Sequence, residues 1–257
     1  MADWNPDLYR RYEDERTRPA RDLLAQVALA SPRRVVDLGC GPGNSTELLV
    51  QRFPQAQVTG TDNSEPMLAS ARQRLPGVAF ELSDIAAWQP AEAPDLIYAN
   101  AALQWVGGHE ALIPRLFALL APGGVLAIQM PDNRAEPSHR LMRELASEAP
   151  YDTYIPDAYN MRTAILPLAG YYDLLAPQAE AIDVWHSIYQ HPMASAASIV
   201  EWVRGTGLKP FLERLPAGLQ PEFLAEYERR IDGAYAARAD GRRLLAFPRL
   251  FIVARRK

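Results

Sequence analysis

The chain has 257 residues, 48% hydrophobic and 23% charged, an ordinary globular balance that excludes disordered and fibrous classes. Its 31 acidic and 27 basic residues leave a formal charge of −4, whereas proteins that hold nucleic acid by neutralising phosphates carry a basic excess. A single cysteine, Cys40, excludes an intrachain disulfide and a thiolate metal cluster. The opening Met1-Ala2-Asp3-Trp4-Asn5-Pro6 has neither a basic n-region nor an apolar h-region. The longest uncharged stretch, Leu116 to Pro131, is broken by Pro122-Gly123-Gly124 and is too short for a bilayer. The expectation is a cytoplasmic protein with no membrane span, no metal and no nucleic-acid partner.

The elements alternate over the first half of the chain. Val35-Val36-Asp37-Leu38 predicts a strand that ends at glycines, and a helix follows from Asn44 with Leu48, Leu49 and Phe53 on one face. Asn44 and Glu47 have capping-box spacing, which predicts Asn44 as the N-cap. Strands are predicted at 57–61, 78–82, 95–99 and 125–130. Helices are predicted to start near Asn63-Ser64-Glu65-Pro66 and Glu110, the second ending at Pro122-Gly123-Gly124. Apolar strands separated by helices make a parallel sheet covered on both faces. Beyond Pro131 the rhythm changes: helix and loop to 180, a strand at 182–189, helix over 195–238 and a last strand at 249–254.

The chemistry concentrates at Asp37-Leu38-Gly39-Cys40-Gly41-Pro42-Gly43, between the first strand and the first helix of the alternation. Glycines there admit positive φ and close approach of a ligand to backbone, next to a helix N-terminus. The dinucleotide fingerprint G-x-G-x-x-G/A fits poorly, because Asn44 stands where a small residue belongs and the third glycine comes one residue early. An acid ahead of the first glycine suits a cationic or hydroxyl-bearing ligand better than a pyrophosphate. Asp62 ends the second strand, close to the ~20-residue spacing expected of a ribose-binding acid.

The pattern Asp37-x-Gly39-x-Gly41-x-Gly43 resembles motif I of the class I S-adenosylmethionine (SAM)-dependent methyltransferases. Asp62, Ser83-Asp84-Ile85, Asn100-Ala101-Ala102-Leu103-Gln104-Trp105 and Leu120-Ala121-Pro122-Gly123-Gly124 follow in the family's order, so the resemblance covers roughly residues 30–131. A narrower resemblance runs nearly end to end, to members of the family that methylate a small polycarboxylic acid. Asp3-Trp4-Asn5-Pro6, Asn100 to Trp105, Gln129-Met130-Pro131-Asp132-Asn133, Tyr171-Tyr172-Asp173 and the stretch from Phe247 to Arg256 carry it. The stretch from about 150 to 168 departs from that pattern.

The resemblance implies an α/β, Rossmann-like class I methyltransferase fold: a mostly parallel seven-stranded sheet with helices on both faces and a helical cap. It implies one domain over 1–257, with its core at about 30–131, 181–190 and 249–255 and its cap at about 132–180 and 195–240. The implied cofactor is SAM, with S-adenosylhomocysteine as product and no metal. The implied cofactor residues are Asp37, Gly39, Gly41, Gly43, Asp62, Asn63, Met67, Asp84, Ile85 and Asn100, with Asp84 accepting from the adenine amino group and Ile85 packing on the ring.

The implied substrate is a small polycarboxylate. A carboxylic acid of pKa ~4 is ionised at neutral pH, so the reaction asks for no general base, and His109, His139, His186 and His191 are expected to be structural or superficial. Arginine suits the non-reacting carboxylates because its planar fork donates two parallel hydrogen bonds. Arg249 is the first candidate: if the last strand is antiparallel, its start lies at the carboxyl edge of the parallel strands. Arg143 and Arg18 are further candidates, and Tyr172 and Trp105 are candidate pocket walls or core residues. Three readings stay open beside this one: another small acid or natural product as substrate, an NAD(P)-dependent oxidoreductase, and a non-catalytic SAM-binding protein. Oligomeric state is not set by the sequence.

Overall fold

The structure, a computed structural model, describes residues 13–161 and 164–257; the opening Asp3-Trp4-Asn5-Pro6 lies outside them. Helix α1 (Glu13–Ala25) precedes β1 (Arg34–Leu38), α2 (Asn44–Arg52), β2 (Gln57–Asp62), α3 (Glu65–Arg74), β3 (Ala79–Leu82) and β4 (Leu96–Asn100). A 3₁₀ turn (Leu103–Trp105), α4 (His109–Ala118) and β5 (Val125–Pro131) follow. Next come α5 (Pro137–Ala146), α6 (Leu168–Leu175) and the long β6 (Ala179–Met193). The last elements are α7 (Ala196–Arg204), α8 (Lys209–Arg214), α9 (Gln220–Ala234) and β7 (Arg243–Arg256).

The seven strands form one sheet in the order β3-β2-β1-β4-β5-β7-β6. β1 pairs in parallel with β2 and β4, β2 with β3, and β4 with β5, while β7 runs antiparallel to β5 with Arg249 opposite Pro131. This is the mostly parallel seven-stranded sheet expected from the sequence, and the last strand has the direction on which the placing of Arg249 depended. β4 and β5 are buried along almost their whole length, as strands covered on both faces must be. Helix α4 buries Leu112, Ile113, Leu116 and Phe117, an i, i+1, i+4, i+5 stripe that turns one side to the sheet.

The chain divides into two units, each with its own core. The sheet unit takes residues 14–131, 164–187 and 249–257, and its core joins Leu38, Ile97, Ile113, Phe117, Ile128 and Ile252. The helical unit takes residues 132–161 and 188–248, and its core joins Leu145, Ile199, Val203, Phe223, Tyr227 and Ile231. Tyr151, Ile155 and Ala158, from the divergent stretch, are buried in that second core, and the Tyr151 and Phe223 rings meet edge-on at 4.9 Å.

Two local expectations change. Helix α6, drawn with the cap in the sequence reading, lies with the sheet, because Tyr171 and Leu175 bury completely in the sheet core. The N-cap of α2 is Gly43, with φ +91° and no side-chain cap bond, and its carbonyl accepts from Glu47 N–H at 2.9 Å. A left-handed cap residue favours glycine, so the cap falls one residue before Asn44. The Glu47 carboxylate, free of the capping box, pairs with Arg74 at 3.0 Å.

Candidate active site

The strand order reverses between β1 and β4, and in open α/β sheets ligands bind beyond the carboxyl ends of the strands at such a switch point. Here the loop after β1 meets the loop after β4. Gly39 has φ +71°, and a Cβ on it would stand 2.4 Å from the Ala102 Cβ, so glycine is required twice over, by conformation and by space. The Gly39 and Cys40 N–H groups both donate to the Thr61 carbonyl, at 2.8 and 2.9 Å, folding the loop onto the end of β2. Gly41, at the tip with φ +53°, has nothing within 4 Å of its Cβ position. Open space beside backbone is what a ligand cradle needs.

Two carboxylates flank the loop. Asp37 is fully buried, and its Oδ2 accepts from Ser45 Oγ and Thr46 Oγ1, both at 2.7 Å. Its Oδ1 is buried with no hydrogen-bond partner. Burial pushes the Asp37 carboxyl up to about 6, against the pull of the Thr46 and Ser45 hydroxyls and helped by the nearby Asp62 charge. Asp62, at the end of β2, accepts from Gly41 N–H at 3.0 Å through Oδ2 and from Ser64 N–H at 2.9 Å through Oδ1. Each oxygen keeps a second lone pair for a further donor.

The remaining expected cofactor residues line the same edge. Asn63 is exposed, two residues before α3, and Met67 is half-buried in its first turn. Ile85 is buried, its Cδ1 3.4 Å from the Gly39 Cβ position. Asp84 is exposed, and its Oδ1 accepts from Ala86 N–H at 2.9 Å, the bond of a turn former. Asn100 ends β4 with a buried Oδ1 that has no partner. Its neighbour Ala101 holds a left-handed φ of 53°, a strained conformation for alanine of the kind that clusters at functional sites. The Gln104 side chain donates to the Ala101 carbonyl at 2.7 Å.

The substrate candidates are less gathered. Arg249 is 5% exposed, and its Nη1 donates to Gln129 Oε1 at 3.2 Å. Arg143 belongs to the helical unit, where it donates to the Arg134 carbonyl at 2.6 Å and lies 5.8 Å over the Tyr159 ring. Its partial burial, then the Arg134 charge, lower its pKa from the usual arginine value. Arg18 sits on α1 with its side chain 68% exposed, 3.8 Å from Asp22 one turn on.

Trp105 and Tyr172 are 54% and 48% exposed, so neither is a core residue. The 3₁₀ turn bearing Trp105 and the helix bearing Tyr172 are joined through His109. His109 Nε2 lies 2.9 Å from the Leu103 carbonyl, and Nδ1 lies 2.6 Å from the Tyr171 hydroxyl. A carbonyl only accepts, so Nε2 donates to it, and Nδ1 is the ring nitrogen hydrogen-bonded to the Tyr171 hydroxyl. His139 and His191 are buried in the helical unit, where the His191 ring lies 4.8 Å from that of Trp202, tilted by 31°, and His186 is exposed.

Sequence reasoning missed Ser45 and Thr46, which hold Asp37, and Gln129, which holds Arg249. Gln129 carried a legible signal, as the polar residue inside the apolar run Val125 to Met130. Among the described residues no group of three or more His, Cys, Asp or Glu is placed to hold a metal ion, and no helix is long and apolar enough to cross a membrane.

A methyltransferase-domain family matches residues 9–210. A curated relative from Variovorax paradoxus, named trans-aconitate 2-methyltransferase, is 74% identical over the full length of both chains. Relatives of the same name from Paracidovorax citrulli and Yersinia pestis are 70% and 57% identical; the alignments cover 100% and 99% of this chain and 99% and 98% of theirs. Among solved structures, the YcgJ protein of Bacillus subtilis superposes with a TM-score of 0.61 at 14% identity, covering 93% of this chain and 98% of that one. The Haemonchus contortus phosphoethanolamine N-methyltransferase 2, solved in complex with S-adenosyl-L-methionine, does so with a TM-score of 0.55 at 16% identity, covering 93% and 53%. These two likenesses speak for the fold, and the curated relatives for the branch. The chain belongs to the methyltransferase family, among the proteins named trans-aconitate 2-methyltransferase.

Proposed function

We propose that the protein transfers a methyl group from SAM to a carboxylate of trans-aconitate, giving the monomethyl ester and S-adenosylhomocysteine. The observation that carries this reading is the end-to-end likeness to enzymes of that name, which takes in the helical unit as well as the sheet unit. A single functional domain over both units is part of the reading.

The residues at the switch point fit that cofactor. SAM carries an ammonium, a sulfonium and a ribose, and no phosphate. Asp37 Oδ1 and Asn100 Oδ1 are buried acceptors still lacking donors, as an ammonium requires, and the open side of Gly41 admits backbone contact. Asp37 and Asp62 beside the loop would repel a pyrophosphate, which weighs against the dinucleotide alternative. In this reading Asp62 accepts from the ribose hydroxyls through its spare lone pairs, and Asp84 accepts from the adenine amino group. Ile85 packs on the ring, Asn63 and Met67 flank it, and Gly39 and Gly43 shape the loop.

Bound there, the cofactor supplies a methyl group on a cationic sulfur, which an ionised carboxylate takes up without any protein base. The protein's task is then placement, with a carboxylate oxygen held in line at ~3–3.5 Å from the methyl carbon. Arg249 serves by gripping carboxylates that do not react. A guanidinium on the reacting oxygens would stabilise the anion more in the ground state than in the transition state, where its charge is being neutralised, and would slow transfer. The reading puts the enzyme in the cytoplasm, with small-molecule substrates and no nucleic-acid partner.

Calorimetry with S-adenosylhomocysteine and turnover against a panel of di- and tricarboxylic acids test the proposal. Binding together with methyl-ester formation on trans-aconitate is expected. Binding with every polycarboxylate inert removes the substrate, and NAD binding without S-adenosylhomocysteine binding removes the cofactor.

A further inference from the structure

Residues 83–95 join β3 to β4 with no helix or strand of their own. Carbonyls in such a segment have no ladder partners and must find donors elsewhere. Here one side chain supplies several. Arg115, half-buried on α4, donates from Nη1 to the Trp88 carbonyl at 2.7 Å, and from Nη2 to the Ile85 and Ala86 carbonyls at 2.8 and 3.0 Å. A guanidinium presents its donors in one rigid plane, so it holds these acceptors in a fixed relation to one another. The Ile85 and Trp88 side chains are buried in the sheet core. The segment is thus fixed by its apolar side chains and, through Arg115, by its backbone.

The peptide between Ile85 and Ala86 is engaged on both sides. Its carbonyl, that of Ile85, accepts from Arg115, and its N–H, that of Ala86, donates to Asp84 Oδ1 at 2.9 Å. A trans peptide is planar and points these two groups in opposite directions. Guanidinium, peptide and carboxylate therefore form a chain, in which tilting the peptide at one end turns the N–H at the other. A charged donor on the carbonyl also polarises the peptide and strengthens the bond made by its N–H. Asp84 is exposed, and the Ala86 N–H selects among the rotamers open to an exposed carboxylate. All of these groups belong to the sheet unit.

We propose that Arg115 is a positioning residue for the cofactor's base: acting through the peptide between Ile85 and Ala86, it fixes the Asp84 carboxylate on the adenine amino group and so sets the preference for adenine. The inference rests on the reading of Asp84 given above and adds the residue that aims it. Methionine at 115 keeps the length and apolar stem of arginine and has no donor. Lysine keeps the charge but cannot hold carbonyls from two nitrogens. A ligand that differs only where Asp84 reads it separates aim from general loosening. S-inosylhomocysteine is that ligand: its hypoxanthine has the shape of adenine, with an oxygen in place of the amino group and a hydrogen on the next ring nitrogen. A carboxylate fixed on the amino position repels that oxygen, whereas one free to turn reaches the neighbouring N–H instead.

The test is calorimetry of S-adenosylhomocysteine and S-inosylhomocysteine for wild type, Arg115→Met, Arg115→Lys, Asp84→Ala and the double variant Arg115→Met/Asp84→Ala, each shown by circular dichroism to be folded. Wild type should prefer the adenine ligand by roughly a hundredfold, a lost bond and a repulsion of about tenfold each. Arg115→Met should cut that preference about tenfold and Arg115→Lys by about threefold, the loss of all or part of one aligned bond to a charged group. Asp84→Ala should abolish the preference, and adding Arg115→Met should then change it no further, a coupling that general loosening of the segment would not produce. In kinetics, Arg115→Met should raise KM for SAM by about tenfold and leave kcat at saturating SAM within about twofold. A preference unchanged in Arg115→Met, even with both ligands bound more weakly, overturns the proposal and leaves Asp84 in place. If the methionine variant does not fold, an unchanged preference in Arg115→Lys does the same. A wild-type preference in Asp84→Ala removes the reading of Asp84, and the role of Arg115 with it.

Discussion

The glycine-loop edge of the sheet and the arginines offered for the substrate are held in different ways. At the loop, Gly39 and Cys40 N–H groups donate to the Thr61 carbonyl and Gly41 N–H to the Asp62 carboxylate, and Asp37 is clamped by Ser45 and Thr46 a few residues on. The contacts are short and come from the end of β2 and the first turn of α2. The three arginines sit on three separate elements. Arg249 is buried on β7 against Gln129, Arg143 donates to a carbonyl of its own unit, and Arg18 lies out on α1 beside Asp22. In the proposed reading, cofactor recognition is therefore built largely from backbone geometry, which tolerates little change. In the same reading, substrate recognition depends on long side chains whose aim is set by whatever packs beside them.

The sharpest way to break that contrast is Asp62→Ala. It removes the acceptor of two backbone N–H groups and of the proposed ribose hydroxyls. Removing one partner of a buried charged contact costs ~2–5 kcal/mol. S-adenosylhomocysteine affinity should therefore fall by roughly thirtyfold or more, as read by calorimetry on protein shown by its circular dichroism to be folded. Wild-type affinity would sink the assignment.

Arg249 comes next. Arg249→Ala should lower kcat/KM on trans-aconitate by roughly a hundredfold and Arg249→Lys by about tenfold, because an ammonium keeps the charge and loses the fork. Cofactor affinity should hardly move in either. An analogue lacking one distal carboxylate should lose kcat as well as affinity, since the lost contact also aligned the attack. If Arg249→Ala keeps wild-type kcat/KM, this arginine does not bind the acid.

A smaller effect separates the cofactor acid from any histidine base. The folded Asp37 carboxyl is raised from 3.8 to about 6, so the folded protein holds a proton there that the unfolded chain has released. Stability without cofactor is therefore greatest below about pH 4 and falls as pH rises through about 6, by roughly 3 kcal/mol from this group. Urea unfolding of Asp37→Asn should lack that fall. A bound ammonium needs the ionised carboxylate, so S-adenosylhomocysteine affinity should drop about tenfold per unit below about pH 6 in wild type, and not in Asp37→Asn. Single-turnover rates at saturating cofactor should show no histidine-dependent basic limb between about pH 5.5 and 8.5. A limb abolished by substituting one of the four histidines would reveal a base.

The smallest expected effect is at Arg18. Its side chain is exposed and its ion pair with Asp22 is long. Arg18→Ala should change stability by less than ~0.5 kcal/mol and leave kcat/KM on trans-aconitate within about twofold. A large loss would mean that substrate recognition is spread further than Arg249.

Much of the loop edge was legible because its signals are local. Glycines at alternate positions between a β-branched run and a helix mark positive φ and close approach, and an acid at a strand end lies where ligands bind whatever the rest of the fold does. The cap of α2 was misplaced because Asn44 and Gly43 both satisfy a start signal and only the backbone chooses between them; φ +91° is a glycine's choice. Trp105 and Tyr172 were ambiguous because aromatic spacing reads alike for core and surface, and exposure depends on what packs above them. The run from Leu168 to Leu175 was drawn with the cap, since nothing in its own pattern says which core its buried face joins.

The sequence by itself determined the alternation of strand and helix, the turn at Gly39 to Gly43 and the two acids at strand ends, because each depends on a few consecutive residues and on steric limits that no tertiary contact relaxes. Tertiary structure alone decided which arginine is buried, that β7 sets Arg249 diagonally across from Gln129, and that Asp37 keeps one oxygen bonded and one unpartnered. Those outcomes join residues up to 120 positions apart. They are fixed by strand register and by the cost of burying polar groups, and neither has a signature within any short stretch of chain.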